Sequence, residues 1–307
     1  MQEGIEKEML ARAKALLSDG TVNRVIGWKK GLFGYDVTPG VFSTAEELDG
    51  SFLYNEFCGA NLSKYLIAQS RKEGKILAFL KPCDTYSFNQ LVKEHRILRD
   101  HVYVVGVPCM DFRDVPEGGT LEDARPEERC SVCKSTKHAA FDELIGGDGE
   151  VRENTRFEKV AELESMSPEA RYEFWRGELS RCIRCNACRN VCPACSCELC
   201  VFDNPDSGIA QKAAADSFEE NMFHIIRAFH VAGRCTDCGE CSRVCPQRIP
   251  LHLLNRKFIK DINEIYGEYQ AGADTESKAP LNRFSTDDAE PSVVYARSET
   301  ARAPKGE

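Results

Sequence analysis

Two copies of one cysteine spacing constrain this chain more than any other feature of its 307 residues. Each copy places three cysteines two residues apart, then a fourth cysteine after three more residues, directly followed by proline. The copies comprise Cys182, Cys185, Cys188 and Cys192 with Pro193, and Cys235, Cys238, Cys241 and Cys245 with Pro246. Three thiolates on a tight loop can hold three irons of one cubane, while the fourth thiolate, held by a helix-stopping proline, points at the neighbouring cluster. The spacing therefore predicts two 4Fe–4S clusters.

The ligand sets of these two clusters are expected to cross over between the copies. One cluster takes Cys182, Cys185, Cys188 and Cys245, and its neighbour takes Cys235, Cys238, Cys241 and Cys192. Structural zinc is one alternative, although such sites usually need only two Cys-x2-Cys pairs or a Cys/His mixture, and neither run contains His. Disulfides are a second alternative, but spacing this close suits a metal and the chain shows no secretory context.

Composition limits the class of protein and its partners. The chain is 42% apolar and 29% charged, and it is long enough for two domains with cores of their own. Its 16 cysteines predict a reducing compartment, in an anaerobe or a shielded complex. The first residues lack a signal-peptide pattern and no apolar run approaches about twenty residues, so we expect a cytoplasmic protein without membrane insertion. A formal net charge of −9 argues against nucleic acid as a partner.

The first half of the chain has the pattern of an α/β domain. A helix is expected over residues 3–18 because Ile5, Met9, Ala13 and Leu16 lie close to helical spacing. Short apolar runs at 25–28, 75–80 and 102–107 are typical of buried parallel strands, with covering helices around 59–73 and 84–94. We therefore predict an α/β N-terminal domain with a mainly parallel sheet over residues 1–157.

The second half has a different pattern. Strand signals end near Phe157, and helices are expected over 217–231, between the two cysteine runs, and after Pro250. These features predict an all-helical two-cluster ferredoxin domain over 158–267. Residues 268–307 have few apolar side chains and are expected to form an extended or disordered tail, with docking onto a partner as the alternative.

Eight cysteines lie outside the two runs, and four of them suggest a third cluster. Cys83 and Cys109 each follow a predicted strand, at the edge where open α/β sheets place their ligands. Cys130 and Cys133 form a further Cys-x2-Cys pair. These four thiols could converge on a third iron–sulfur site. The aspartates beside the first two, Asp84 and Asp111, are expected to cap the helices that follow their strands. The alternative is that they tune a cluster or contact a cofactor.

The other four cysteines are ambiguous. Cys195, Cys197 and Cys200 come directly after the first run, and the solitary Cys58 lies far earlier in the chain. Together they would supply four ligands for a fourth 4Fe–4S site bridging the two domains. The alternatives are thiols that only line a neighbouring cluster, or substitute ligands for it.

Two stretches of the N-terminal domain resemble a known family. They are residues 76–111, with Lys-Pro-Cys-Asp at 81–84 and Val-Gly-Val-Pro-Cys at 105–109, and residues 130–146. Both look like the beta subunit of deazaflavin-reducing hydrogenases and formate dehydrogenases, and they are similar to the iron–sulfur subunit of anaerobic sulfite reductase and sulfhydrogenase. The fusion to two ferredoxin-type runs resembles partners of the flavoprotein subunit of heterodisulfide reductase. The likeness covers most of residues 20–265.

This resemblance implies an electron-transfer subunit of a cytoplasmic, multi-subunit anaerobic redox complex. The implied partners are a heterodisulfide-reductase-type flavoprotein, a hydrogenase or a formate dehydrogenase. The alternative is a flavin-dependent oxidoreductase subunit that binds FAD and acts on a deazaflavin. No Gly-rich dinucleotide loop supports flavin binding, since the pairs at 118–119 and 146–147 lack the G-x-G-x-x-G spacing. A zinc-held scaffold is a third, non-redox alternative.

Overall fold

A computed structural model of the chain describes residues 2–116, 118–204 and 217–282. Helix α1 (Gln2–Ser18) leads into a five-stranded sheet, with residue bounds β1 (Arg24–Lys30), β2 (Val37–Phe42), β3 (Ile76–Leu80), β4 (Val102–Gly106) and β7 (Glu143–Leu144). The strand order is β2-β1-β3-β4-β7. Strands β1 and β2 pair antiparallel, whereas β1–β3, β3–β4 and β4–β7 pair parallel. The sheet is therefore mixed, with parallel pairing at its centre. Two short strands, β5 (Arg113–Asp114) and β6 (Arg125–Pro126), form a separate antiparallel pair.

The central strands form where the sequence is continuously apolar. Every residue of β3 is fully buried, and its neighbour β4 pairs with it in register from Ile76 opposite Val102 to Leu80 opposite Gly106. A parallel strand is covered on both faces, so burial of every side chain favours an unbroken apolar run over an alternating one. The strands predicted at 25–28, 75–80 and 102–107 are confirmed.

Four helices accompany the sheet: α2 (Ala45–Ser51), α3 (Leu66–Gln69), α4 (Pro82–Lys93) and α5 (Glu128–Ser131). The helix expected around 59–73 is shorter than predicted. It begins as a 3-10 turn at Ser63–Tyr65, because Asn61 Oδ1 accepts a hydrogen bond from the Ser63 backbone N–H (2.9 Å) and holds that stretch in a turn. Helix α4 follows β3 almost directly and starts with Pro82, whose fixed backbone angle suits a first helical turn.

Six helices lie in the C-terminal region, at residues 158–204 and 217–266: α6 (Glu158–Ser165), α7 (Pro168–Leu179), α8 (Ala187–Val191), α9 (Ser217–His230), α10 (Glu240–Arg243) and α11 (Leu251–Tyr266). Helices α9 and α11 correspond to the two helices expected from the apolar spacing. Residues 205–216 and 283–307 lie outside the described part of the chain. None of the helices in the described ranges has the length and apolar character needed to cross a membrane.

Charged side chains join the sheet to the C-terminal region. Lys64 Nζ donates to the backbone carbonyls of Arg189 (3.1 Å), Cys192 (3.0 Å) and Cys195 (2.8 Å). At the end of α4, Glu94 accepts from Arg234 Nε at 2.7 Å. An ammonium group that donates three hydrogen bonds to one loop fixes the position of that loop, because lysine has three donors and all of them are used.

The first part of the expected tail, residues 268–282, packs against α4. Ala271 and Ala279 are buried, and Lys93 Nζ donates to Ser277 Oγ at 3.3 Å. The closest approach is at Gly272, which has a φ of +74°, and a side-chain carbon placed there would lie 1.8 Å from the carbonyl oxygen of Tyr86. Only glycine fits this contact, because any other residue would collide with the backbone of α4.

We expect Gly272→Ala to lower the free energy of unfolding by more than Gly20→Ala does. Gly20 has a similar φ of +76°, but nothing lies within 4 Å of its position, so its substitution tests the backbone cost alone. A left-handed backbone angle costs a non-glycine residue about 1 kcal/mol of unfolding free energy. At Gly272 the collision with the Tyr86 carbonyl should add at least as much again. Anaerobic thermal unfolding of both variants measures the difference. Equal melting temperatures would contradict the close packing of 268–282.

Candidate metal centres

The four cysteines expected to form the first ligand set line one pocket of the C-terminal region. They are Cys182, Cys185, Cys188 and Cys245, around a cavity of about 20 Å³. Cys182 follows the end of α7, and its backbone N–H donates to Leu179 O at 3.0 Å. The loop then turns through left-handed residues at Arg184 (φ 56°) and Asn186 (φ 60°) before α8 begins. This tight turn brings three sulfurs of the run to the same side, which is what a cubane requires.

The second expected set is held together by α10 and the loop before it. Cys192 and Cys235 contact the same small apolar cluster around Val231. Burial, followed by the charges of Glu240, Cys192 and Cys235, raises the pKa of the Cys238 thiol. Burial also raises the pKa of Cys241 to about 12, with Cys192 again adding to the rise. The structure thus places Cys192 of the first run among the cysteines of the second.

A third pocket lies at the carboxyl edge of the sheet. It encloses about 60 Å³ and is lined by Cys83, Cys109, Cys130 and Cys133. Cys83 lies in the first turn of α4 after β3, and Cys109 follows the end of β4, so the two parallel strands bring both thiols to one edge. Helix α5 and the residues directly after it supply the other pair, with Cys133 N donating to Cys130 O at 3.2 Å. The four cysteines expected to converge do line one site.

The thiols of the third pocket suit a metal cluster. Burial raises the pKa of Cys130 to about 12 and the pKa of Cys83 well above its ordinary value. Buried thiols therefore keep their protons until a metal replaces them, and a coordinated thiol is deprotonated outright. Four cysteines around one enclosed volume form a donor set that fits a 4Fe–4S cluster.

The third pocket adjoins the second cysteine run. Its lining includes Thr236, Asp237 and Cys238. Arg129, next to Cys130, donates to Cys238 O (2.8 Å), to Glu240 Oε1 (2.5 Å) and to Gly59 O (2.7 Å). Because Cys238 belongs to the second expected set, the two centres lie side by side, and the buried Arg129 guanidinium links their loops.

Cys58 does not join Cys195, Cys197 and Cys200. Those three cysteines line a larger cavity of about 600 Å³ between the two regions, and Cys58 is not among its lining residues. Cys58 is instead fully buried in the core of the sheet region. Its sulfur accepts from Asn55 N (3.3 Å) and contacts Leu53 O at 3.5 Å. The structure therefore places the expected fourth set at two separate sites, because the turn at 53–58 directs the Cys58 sulfur inward.

In the described ranges, no three His, Cys, Asp or Glu side chains lie close enough together to share a single metal ion. A zinc site holds its thiolates around one atom, with Zn–S bonds of about 2.3 Å. A four-iron cubane binds one thiolate at each iron and spreads them around a larger volume. The four cysteines of the first set and the four of the third each line one pocket, as a cubane with one thiolate at each iron requires.

The aspartates beside Cys83 and Cys109 are not helix caps, so that prediction was wrong. Lys81 occupies the cap position of α4, and Asp84 is fully buried and accepts from Lys81 Nζ at 2.9 Å. Asp111 has a φ of 50° and forms an ion pair with Arg152 at 3.4 Å, and no helix begins there. Reasoning from the sequence did not identify this buried Lys81–Asp84 pair. The available signal was a Lys and an Asp three residues apart at the end of a predicted strand.

Comparison with known proteins agrees with the cysteine pattern. Residues 178–249 match the family model of the 4Fe-4S dicluster domain. The F420-dependent formate dehydrogenase subunit beta of Methanocaldococcus jannaschii is 23% identical over 87% of this chain and 92% of its own length. The F420-dependent formate dehydrogenase 1 subunit beta of Methanococcus maripaludis is 23% identical over 87% of this chain and 91% of its own. A protein of Sinorhizobium fredii named "Putative ferredoxin-3" is 33% identical over 73 residues, which are 24% of this chain and 70% of that protein. The resemblance to an iron–sulfur beta subunit is confirmed.

Proposed function

Since this chain belongs to the iron–sulfur proteins with a ferredoxin-type 4Fe-4S dicluster domain, we propose that it carries electrons through three 4Fe–4S clusters between subunits of a cytoplasmic, formate-dehydrogenase-like complex. The chain is an electron-transfer subunit of a redox complex, as its similarity to formate dehydrogenase beta subunits and its dicluster domain indicate. The finer proposal concerns the number of clusters, their ligands and the partner. Its domains would be 1–157, with the sheet, and an all-helical 158–267.

Three ligand sets are proposed; the first and the third each line one pocket, and the cysteine spacing supports the second. The first set is Cys182, Cys185, Cys188 and Cys245, the second is Cys235, Cys238, Cys241 and Cys192, and the third is Cys83, Cys109, Cys130 and Cys133. Such clusters take up and release single electrons. The protein's own contribution is to hold the sites next to one another: Cys238 of the second set also lines the third pocket.

The contact between the second and third sites is the observation that carries this proposal. The third site shares lining residues with the second. Electrons can therefore pass between clusters bound at the two sites. Arg129, next to Cys130 of the third set, donates to the backbone carbonyl of Cys238 in the second set. Arg256 Nε donates to Asp237 Oδ1 at 2.8 Å and so holds the residue before Cys238 in place. Buried ion pairs of this kind set a loop in one position.

One observation favours the alternative, a flavin- and deazaflavin-dependent oxidoreductase subunit. The cavity of about 600 Å³ is large enough for a cofactor. Four of the basic side chains that line it already have partners: Lys64 donates to three backbone carbonyls, and Arg96, Arg189 and Arg234 pair with Glu198, Asp203 and Glu94. The volume of the cavity therefore supports the alternative more than its charge does, and the names of the two formate dehydrogenase relatives include F420 dependence.

The deciding experiment measures iron, acid-labile sulfide and flavin in anaerobically purified protein, with visible spectra before and after dithionite. We expect about twelve irons and about twelve sulfides per chain, no flavin, and an absorbance that bleaches on reduction. A content of about eight irons would remove the third site, and about sixteen would add a fourth at Cys195, Cys197 and Cys200. One flavin per chain would establish the alternative, and zinc without bleaching would overturn both.

A further inference from the structure

Helix α9 carries a buried charge without a partner among the described residues. The side chain of Arg227 is fully buried, and none of its three guanidinium nitrogens has a hydrogen-bond partner in the described part of the chain. Arginine stays protonated in proteins, so this group is a permanent cation. An isolated buried charge is strongly unfavourable unless an anion or a set of acceptors compensates for it. The position therefore calls for a negative partner.

The surroundings of Arg227 show where that partner lies. The cysteines that act most strongly on its charge belong to both expected sets: Cys188 of the first, and Cys241 and Cys192 of the second. Burial lowers the pKa of Arg227, but the electrostatic effect of Cys241, Cys188, Cys192 and Cys195 raises it above its ordinary value. Arg227 also lines the cavity that contains Cys195.

The helix directs one face at the cysteines. His224, three residues before Arg227, lines the pocket of the first set. Val231, four residues after it, packs against Cys192 and Cys235. Residues three and four apart lie on the same helix face, so Arg227 is between the two sites. Both ring nitrogens of the buried His224 also lack partners, so this helix face has several unused polar atoms.

A carboxylate partner would be the ordinary explanation, but among the described residues none pairs with Arg227. Other buried arginines of the protein do have such partners. Arg129 bonds Glu240, and Arg256 bonds Asp237. Arg129 and Arg256 also lie beside cysteines, but Arg227 differs from them in having no carboxylate partner among the described residues. A 4Fe–4S cluster with its four thiolates is an anion in its usual oxidation states.

We propose that Arg227 is the shared counter-cation of the two dicluster-domain clusters, and that it hydrogen-bonds cluster or ligand sulfur and raises both reduction potentials. The inference rests on the first and second ligand sets proposed above. Reduction adds one negative charge to a cluster, so a fixed cation beside it stabilises the reduced form. Hydrogen bonds to the sulfurs act in the same direction.

The test compares the reduction potentials of the wild type, Arg227→Gln and Arg227→Lys after iron and sulfide have been measured for each. Glutamine keeps much of the length and polarity but removes the charge, whereas lysine keeps the charge. We expect the glutamine variant to keep its clusters and to show an equilibrium constant for reduction lowered at least tenfold, or about 59 mV for one electron. The lysine variant should recover at least half of that shift.

The matched control is Arg181→Gln. Arg181 directly precedes Cys182, but 44% of its side chain is exposed and it pairs with Glu178, so water screens its charge. We expect the cluster reduction potentials of the Arg181→Gln variant to match those of the wild type. Titrations followed by visible absorbance and by electron paramagnetic resonance report each cluster.

Three outcomes would overturn the role of Arg227: unchanged potentials in a fully loaded glutamine variant, equal shifts in the Arg181 control, or loss of clusters in both Arg227 variants. Loss of clusters in the glutamine variant alone would support the role, because the lysine variant keeps the positive charge that the glutamine variant lacks. If the two ligand sets on which this inference rests are wrong, the wild type will contain fewer than about eight irons, which its own iron content shows before any variant is made. A wrong number of clusters or a bound flavin would change the proposed function and leave this test intact.

Discussion

Replacement of Cys130 by alanine is expected to lower the iron content from about twelve to about eight atoms per chain, because it removes one of the four thiolates of the third site. Cys130 lines the enclosed pocket at the carboxyl edge of the sheet together with Cys83, Cys109 and Cys133. The two ferredoxin-type clusters have complete sets of their own and should remain. Iron and sulfide analysis measures the loss, and the resonance spectrum of the reduced protein should lose one component.

Cys58→Ala is the matched control for this prediction. Cys58 is also a buried cysteine of the sheet region, but it lies outside the pocket and bonds only to the turn at 53–58. We expect its removal to leave the iron content unchanged. If Cys130→Ala kept all of its iron while Cys58→Ala lost four atoms, the third site would be misplaced and Cys58 would be a ligand.

A replacement at the third site should also leave the rest of the chain able to bind metal. Cys238 lines the pocket too, but it belongs to the second set. If Cys238 moved to replace Cys130 as a ligand, the second cluster would lose a thiolate instead. Iron would fall in either case, and the spectrum would show which component was lost.

The cysteine runs could be predicted from the sequence because their geometry is local. Positive φ angles at Arg184, Asn186 and Asp237 turn the loops within a few residues, so the spacing alone implies which sulfurs share a side. The crossover of Cys192 and Cys245 stays a prediction, and the structure agrees with it in placing Cys245 at the pocket of the first run and Cys192 beside Cys235. The central strands were equally predictable, because burial on both faces leaves an unbroken apolar run.

What could not be predicted depends on contacts between distant parts of the chain. Whether Cys58 joins Cys195 depends on the fold, which buries Cys58 in the core of the sheet region and places Cys195 at a cavity between the regions. The environment of Arg227 could not be predicted either. The apolar spacing of a helix shows which face is buried, but it does not show whether a carboxylate from another element packs against that face. Asp84 was misassigned as a cap because its real partner, Lys81, contacts Ala60 and Trp28 from elsewhere in the fold.

Lys81 and Asp84 form a buried ion pair between the end of β3 and the first turn of α4. Both side chains have no exposed surface, and the Nζ–Oδ2 distance is 2.9 Å. Lys81 Nζ also donates to Ala60 O at 2.6 Å and lies 4.4 Å from the centre of the Trp28 ring. Burial raises the pKa of Asp84, and the charge and hydrogen bond of Lys81 oppose that rise.

Lys81→Met is therefore expected to cost about 3–5 kcal/mol of unfolding free energy, because it leaves a buried carboxylate without its partner. For a folded unit of this size, the cost corresponds to a fall of roughly 10 °C in melting temperature. Anaerobic thermal unfolding measures it. The double variant Lys81→Met with Asp84→Asn removes both charges and should recover at least half of the loss, because it no longer buries an unpaired ion. A fall of less than about 2 °C in the single variant, or a double variant as unstable as the sum of both single ones, would show that the pair does not act as a unit.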